Sequence, residues 1–229
     1  MELDPVSAIR LSLEVGLLST ALGLLPALGC AWVLARMRFP GKSLLSVLIL
    51  TPLVLPPVVT GLLLLRLLGQ NGPLGGVFAA MGLPIPFHLA GAVLAALVVG
   101  FPLYVLSIRT AFEAIDPRLE ELSRTLGVPP WQTWLRVTLP LAAPGIAAGA
   151  VLAFARALGE FGATAILAGN MEGRTRTLAL AVYSLLDAPD GEPGVRLLVG
   201  ASLLLSLGAL LGYEAFNRWQ RRRLELDGG

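Results

Sequence analysis

Long apolar runs, rather than alternation or a narrow stripe, dominate the order of hydrophobic and polar positions along this chain. A helix rising 1.5 Å per residue needs about 20 apolar residues to cross a hydrocarbon layer about 30 Å thick. Four stretches satisfy that length: 11–35, 44–68, 89–108 and 195–216. A fifth, 141–168, is long enough but carries Arg156 and Glu160 within it. The pattern therefore predicts five membrane-spanning helices and an all-α integral membrane protein. The first run is not expected to be a cleaved signal peptide. It begins Met1-Glu2-Leu3-Asp4, lacks a basic leader and exceeds the length of a signal core.

Two connections are long enough to hold structure of their own. In 110–140, Asp116 followed by Pro117 reads as an N-cap with proline at the first helical position, and Glu120 adds negative charge to that first turn. Gly127 then closes the short helix, with Pro129-Pro130 beyond it. In 169–194, the apolar piece 177–186 is too short to cross, so it is expected to lie at the surface or re-enter among the helices. No repeat or low-complexity linker divides the chain, which reads as one domain spanning 1–229.

Composition sharpens this picture. Hydrophobic residues make up 55% and charged residues 14%, with a mean hydropathy of +0.78. Soluble domains carry about a quarter charged residues, so an ordinary soluble enzyme is excluded, as is disorder. A net charge of +2 is too small to argue for a nucleic-acid partner, and none is expected. One cysteine, Cys30, and one histidine, His88, provide no disulfide and no multi-histidine or cysteine metal site, so neither metal nor cofactor is expected. Basic residues then orient the chain. Arg36, Arg38 and Lys42, then Arg109, Arg118, Arg124 and Arg136, then Arg218, Arg221, Arg222 and Arg223 place 11 of the 17 on one side. The loop 69–87 on the other side has no charge. The amino terminus is thus expected outside and the carboxyl terminus inside.

Several motifs invite chemistry. Gly41-Lys42-Ser43 resembles the end of a phosphate-binding loop, but Arg36 stands where the first glycine is required, so no nucleotide site is expected. Pro52, Pro56 and Pro57 must interrupt the second span, and broken helices often line substrate routes. Gly145, Gly149, Ala153 and Ala157 form a small-residue packing face. Arg156 and Glu160, four apart, can pair inside the membrane, either as a purely structural pair or as one that also shapes the gate or pathway. Trp32, Trp131, Trp134 and Trp219 lie near the inferred inner boundary. A self-contained secondary oxyanion carrier would need coupling carboxylates, for which Glu160 is the clear intramembrane candidate beside Glu14 and Glu214. A membrane hydrolase finds no HExxH sequence.

The inner loop carries the strongest signal. Glu121-Leu122-Ser123, then Gly127, then Val137-Thr138-Leu139-Pro140 resembles the EAA loop of binding-protein-dependent ABC importers, with Leu122 and Ser123 replacing two alanines and Val137 an isoleucine. Phe39-Pro40-Gly41-Lys42, the run 53–59, Arg124-Thr125-Leu126-Gly127, the run 153–164 and Thr175-Arg176-Thr177 are similar to the molybdate permease branch. The Leu158-Gly159-Glu160-Phe161-Gly162 piece is shared with sulfate permeases, whereas 173–177 and the Asn170 loop look closer to molybdate members. The resemblance implies a type I importer permease without an ATP site, acting as a homodimer in the lipid of a bacterial inner membrane. It implies two copies of an ABC ATPase subunit below and a periplasmic molybdate-binding protein above. Tungstate, sulfate and thiosulfate are the rival substrates. Glu121, Leu122, Ser123, Gly127, Leu139 and Pro140 would then couple to the ATPase. Pro56, Pro57, Arg156, Glu160 and Asn170 are the candidates for pathway or gate.

Overall fold

A computed structural model describes residues 4–186, 188–189 and 191–226, with those from 219 onward described by their backbone alone. Glu2, Asp187 and Asp190, and the side chains of Trp219, Arg221, Arg222 and Arg223, lie outside the described residues. Every regular element within them is helical.

The first helix, α1 (Pro5–Arg36), starts well before its apolar run because Asp4 caps it, accepting from the Val6 N–H at 3.0 Å, with Pro5 at the first position. Its buried residues recur every three or four positions, including Ala8, Val15, Ser19, Gly23, Ala27, Ala31 and Leu34. Leu17, Leu22 and Leu25 on the other side are exposed, as lipid-facing residues would be. The central element is α5 (Leu89–Ala114), extended beyond the expected 89–108, which packs against α1 and against α8 (Leu139–Leu158). Its most apolar window is 56% buried, against 6% for the peripheral α11 (Glu192–Leu226), so α5 holds the core. Small residues make that packing close. A Cβ on Gly149 of α8 would stand 2.9 Å from the Tyr104 ring of α5, and Ala153 and Ala157 are buried on the same face. Close backbone approach of this kind substitutes for the hydrophobic drive that lipid lacks.

Two spans differ from the sequence expectation. The stretch 44–68 is two helices, α2 (Lys42–Val54) and α3 (Pro57–Leu68), bent by 115°. Each residue before a proline is pushed out of the α region, and here that happens twice in succession: Leu55 sits at ψ 141° and Pro56 at ψ 132°. The stretch 141–168 is likewise not one helix. It starts earlier, at α7 (Pro130–Thr133), passes through a π-helical turn at Trp134–Thr138, and α8 stops at Leu158. A separate short helix, α9 (Gly162–Leu167), follows. Pro140 and Pro144 lack the N–H groups an unbroken α ladder would use, and the π turn closes through Leu139 N–H to Trp134 C=O. Among the described residues, four helices are long and apolar enough to cross a membrane, or five if α2 and α3 count as one bent span.

The remaining short helices are α4 (Gly75–Ala80) in the uncharged loop, α6 (Pro117–Thr125) and α10 (Leu178–Leu186). α10 matches the expected short apolar piece and packs with Ala8 of α1 and Leu198 of α11.

Candidate functional site

Two regions gather the candidate residues. The first is α6. Asp116 accepts from the Arg118 N–H at 2.9 Å and Pro117 occupies the first turn, so the helix starts where the sequence indicated. It ends on Gly127 at φ 78°, with Gly127 N–H bonded to Arg124 C=O at 2.9 Å and Val128 N–H to Ser123 C=O at 3.2 Å. This paired closure requires a left-handed residue, which glycine adopts without steric cost.

The faces of α6 are unlike. Leu119, Leu122 and Leu126 are 43%, 60% and 75% exposed, and Glu121 is exposed beside them. Ser123 faces inward, its hydroxyl 2.8 Å from that of Thr133 on α7, which explains a small residue there. Glu120 also faces inward and is buried. Its Oε1 accepts from Arg36 Nη2 at 3.0 Å and from the Thr138 hydroxyl at 3.2 Å. Leu139 packs against the core that contains Ala31, Leu34 and Phe112, while Pro140 is exposed at the start of α8.

In the second region the two helix breaks meet. Pro56 caps α3, accepting from the N–H groups of Val59 and Thr60, and Pro57 opens it. α3 lies on α9 so closely that a Cβ on Gly61 would stand 2.8 Å from Ala163 Cα, and one on Gly162 3.0 Å from Pro57 Cβ. Glu160, in the break before α9, is 1% exposed as a side chain. Its Oε1 accepts from Ala163 N–H at 2.7 Å and so caps α9, while its Oε2 lies 2.7 Å from Arg156 Nη2. That second contact has no aligned N–H, so it is a charge contact rather than a directed hydrogen bond. The hydroxyls of Thr60 and Thr164 are buried at the same crossing with no hydrogen-bond partner among the described residues.

Asn170 stands apart from both regions, on the loop before α10. It accepts from Arg176 Nε at 2.9 Å and donates to the Ser184 hydroxyl at 2.8 Å. Arg176 also meets Glu172 at 3.4 Å, and Glu172 accepts from the Asp4 N–H, so this loop is fastened to the start of α1.

A model of the family described as the inner membrane component of binding-protein-dependent transport systems matches residues 22–224. The chain belongs to that family. It is 46% identical over 217 residues to the molybdenum transport system permease protein ModB of Escherichia coli K12, covering 94% of this chain and 95% of that one. It is 44% identical to the protein of the same name from Mycobacterium tuberculosis, over 89% of this chain and 78% of that one. The sulfate transport system permease protein CysW of Synechocystis is 39% identical over 90% and 73%. Among solved structures, an inward-facing MetNI methionine ABC transporter chain matches with a TM-score of 0.74 at 18% identity, over 94% and 95%. The chain thus has the type I importer permease fold, and it is a multi-pass inner membrane protein.

Sequence reading missed three features of this permease. Arg36 and Glu120 were legible only as a loop charge and a first-turn acid, since nothing local announces a partner 84 positions away. Gly61 carried no signal beyond its place after the prolines. Gly127, by contrast, yields a direct prediction. A Cβ there meets nothing within 4 Å, so any penalty comes from the backbone alone. Gly127→Asn is expected to behave nearly as wild type, whereas Gly127→Val should cost the α6 closure about 1–3 kcal/mol. Copurification of the ATPase subunit with each variant measures the difference, and equal retention by both would show that this closure does not matter for assembly.

Proposed function

We propose that this permease carries molybdate into the cell as the membrane half of an ATP-driven importer. The observation that carries the substrate is the 46% identity sustained over nearly the whole length of the Escherichia coli molybdenum permease. Sulfate is the second reading, favoured by the likeness to the sulfate permeases. Tungstate, of similar size and charge to molybdate, would follow the same route. ATP hydrolysis belongs to a separate subunit.

In this reading α6 is the docking element. Leu119, Leu122 and Leu126 offer an apolar ridge beside Glu121, and Ser123, Gly127, Leu139 and Pro140 hold that ridge in place. Two ATPase copies would grip two permeases related as a homodimer, and a periplasmic binding protein would deliver the anion above. The crossing of α3 and α9 supplies the path. Pro56 and Pro57 break one wall, Arg156 and Glu160 hold the other, and the buried hydroxyls of Thr60 and Thr164 make the interior polar. Paired charges and buried hydroxyls are costly in lipid, so their concentration at one crossing favours a route over a packing accident. Asn170 belongs to the outer loop that would face the binding protein.

The orientation follows the basic residues, with α6 inside. A cysteine replacing exposed Val6 in a Cys30→Ala background should react with an impermeant maleimide on intact cells, and one replacing exposed Arg38 should not. The reverse pattern would invert the topology.

Uptake tests the function. Vesicles holding permease, ATPase and the cognate binding protein should accumulate radiolabelled molybdate only with ATP. Tungstate should compete and excess sulfate should not. Strong competition by sulfate would assign the protein to sulfate transport, and uptake without ATP would point to a self-contained carrier.

A further inference from the structure

If α6 docks on an ATPase, something must carry its movement into the membrane helices. Its chain connections are poor candidates, since α6 is joined through an extended residue at Ile115 and a glycine turn at Gly127. The structure offers a side-chain route instead. Arg36 is the last residue of α1, and its Nη2 donates both to the Ile115 C=O at 3.1 Å, at the end of α5, and to Glu120 Oε1 at 3.0 Å. The same Glu120 oxygen accepts from Thr138, the last residue of the π turn that feeds α8. One nitrogen and one oxygen therefore tie α6 to the ends of three membrane helices.

This node is suited to transmission. The pair is shielded, with side chains 16% and 11% exposed, and Thr138 is fully buried. Its Coulomb attraction is therefore weakly screened by salt. The contacts are directed hydrogen bonds, so they resist rotation as well as separation. They also converge on a π turn, a distortion frequent at functional positions. Glu121 and the leucine ridge face away from the node, so docking and transmission use different sides of one short helix.

We propose that Arg36 and Glu120 are positioning residues that convert movement of α6 into movement of α1 and α8 during transport. The proposal rests on the docking reading of α6. Its test uses the reconstituted permease with ATPase and binding protein. In Arg36→Gln, copurified ATPase and basal hydrolysis should stay within about twofold of wild type, while stimulation by loaded binding protein and uptake should fall about tenfold, a normal size for coupling between sites. Arg36→Lys should recover part of the loss, because its ammonium keeps the charge and can donate to both oxygens, but from a compact, strongly hydrated group on a flexible stem rather than from a planar guanidinium. Full stimulation in Arg36→Gln, or losses that merely track the amount of assembled complex, would overturn the proposal. Should Arg36→Gln fail to assemble, Thr138→Val decides. Lowered stimulation at full assembly upholds transmission, and unchanged coupling overturns it. Leu122→Glu separates the parent reading: retained ATPase binding in that variant would remove α6 as the docking helix, whatever the node does.

Discussion

Arg156→Ala is expected to be among the most damaging single substitutions in this permease, and more damaging than Glu160→Gln. Removing the guanidinium leaves the Glu160 carboxylate, 1% exposed, with the Ala163 N–H as its remaining bonded partner. Breaking a buried pair from one side costs about 3–5 kcal/mol, most of it the uncompensated charge. Glu160→Gln differs in two respects. The amide oxygen can still accept from Ala163 N–H and keep the cap on α9. The orphaned Arg156, 27% exposed as a side chain, can turn its head toward a more polar region. That variant should lose about 1–2 kcal/mol. Arg156→Ala/Glu160→Gln should recover most of what Arg156→Ala alone loses, since no charge then remains. Folded yield and thermal midpoint in detergent give the ranking, and uptake shows whether the recovered protein transports. Equal losses in both single variants, adding fully in the double, would mean the two groups do not interact.

The second large effect is expected at Gly61. Its missing Cβ lets α3 lie against the backbone of α9, where both Ala163 Cα and its carbonyl oxygen stand 2.8 Å from the place a Cβ would occupy. A backbone cannot swing aside as a side chain can. Gly61→Ala must therefore separate the two helices, and overpacking of this kind costs about 1–3 kcal/mol. Gly61→Leu should exceed that and abolish uptake. Gly29→Ala is the control, because a Cβ there meets nothing within 4 Å and alanine is the better helix former by about 1 kcal/mol. The two alanine variants should thus move the thermal midpoint in opposite directions. Matching shifts would show that the α3–α9 crossing yields to a methyl group despite the 2.8 Å approach.

Legibility differed from element to element for physical reasons. α6 was readable to within one residue, because Asp116, Pro117 and Gly127 act on their own backbone within a turn. Helix ends were read short where apolar content alone set the limit. α1 begins at Pro5 and α5 runs to Ala114, since capping and hydrogen bonding end a helix, not the last leucine. The break at Gly159 to Phe161 was read through, because glycine, glutamate and phenylalanine in an apolar run resemble a span until Glu160 is seen capturing the Ala163 N–H. Arg156 and Glu160 were correctly paired by spacing, although that spacing assumed a continuous helix and the pair forms across its end.

The sequence by itself determined that this chain is a helical membrane protein, which segments are apolar enough to cross, and where α6 starts and stops. Those are local matters, settled by transfer free energy and by residues acting on neighbours within a few positions. Only the tertiary structure decided that Pro56 and Gly162 bring two broken helices into one crossing, that Glu120 turns inward to Arg36 while Glu121 stays exposed, and that the π turn places Thr138 on the same carboxylate. These arrangements depend on contacts between positions 18 to about 100 apart, and no local preference of either partner encodes which distant group it will meet.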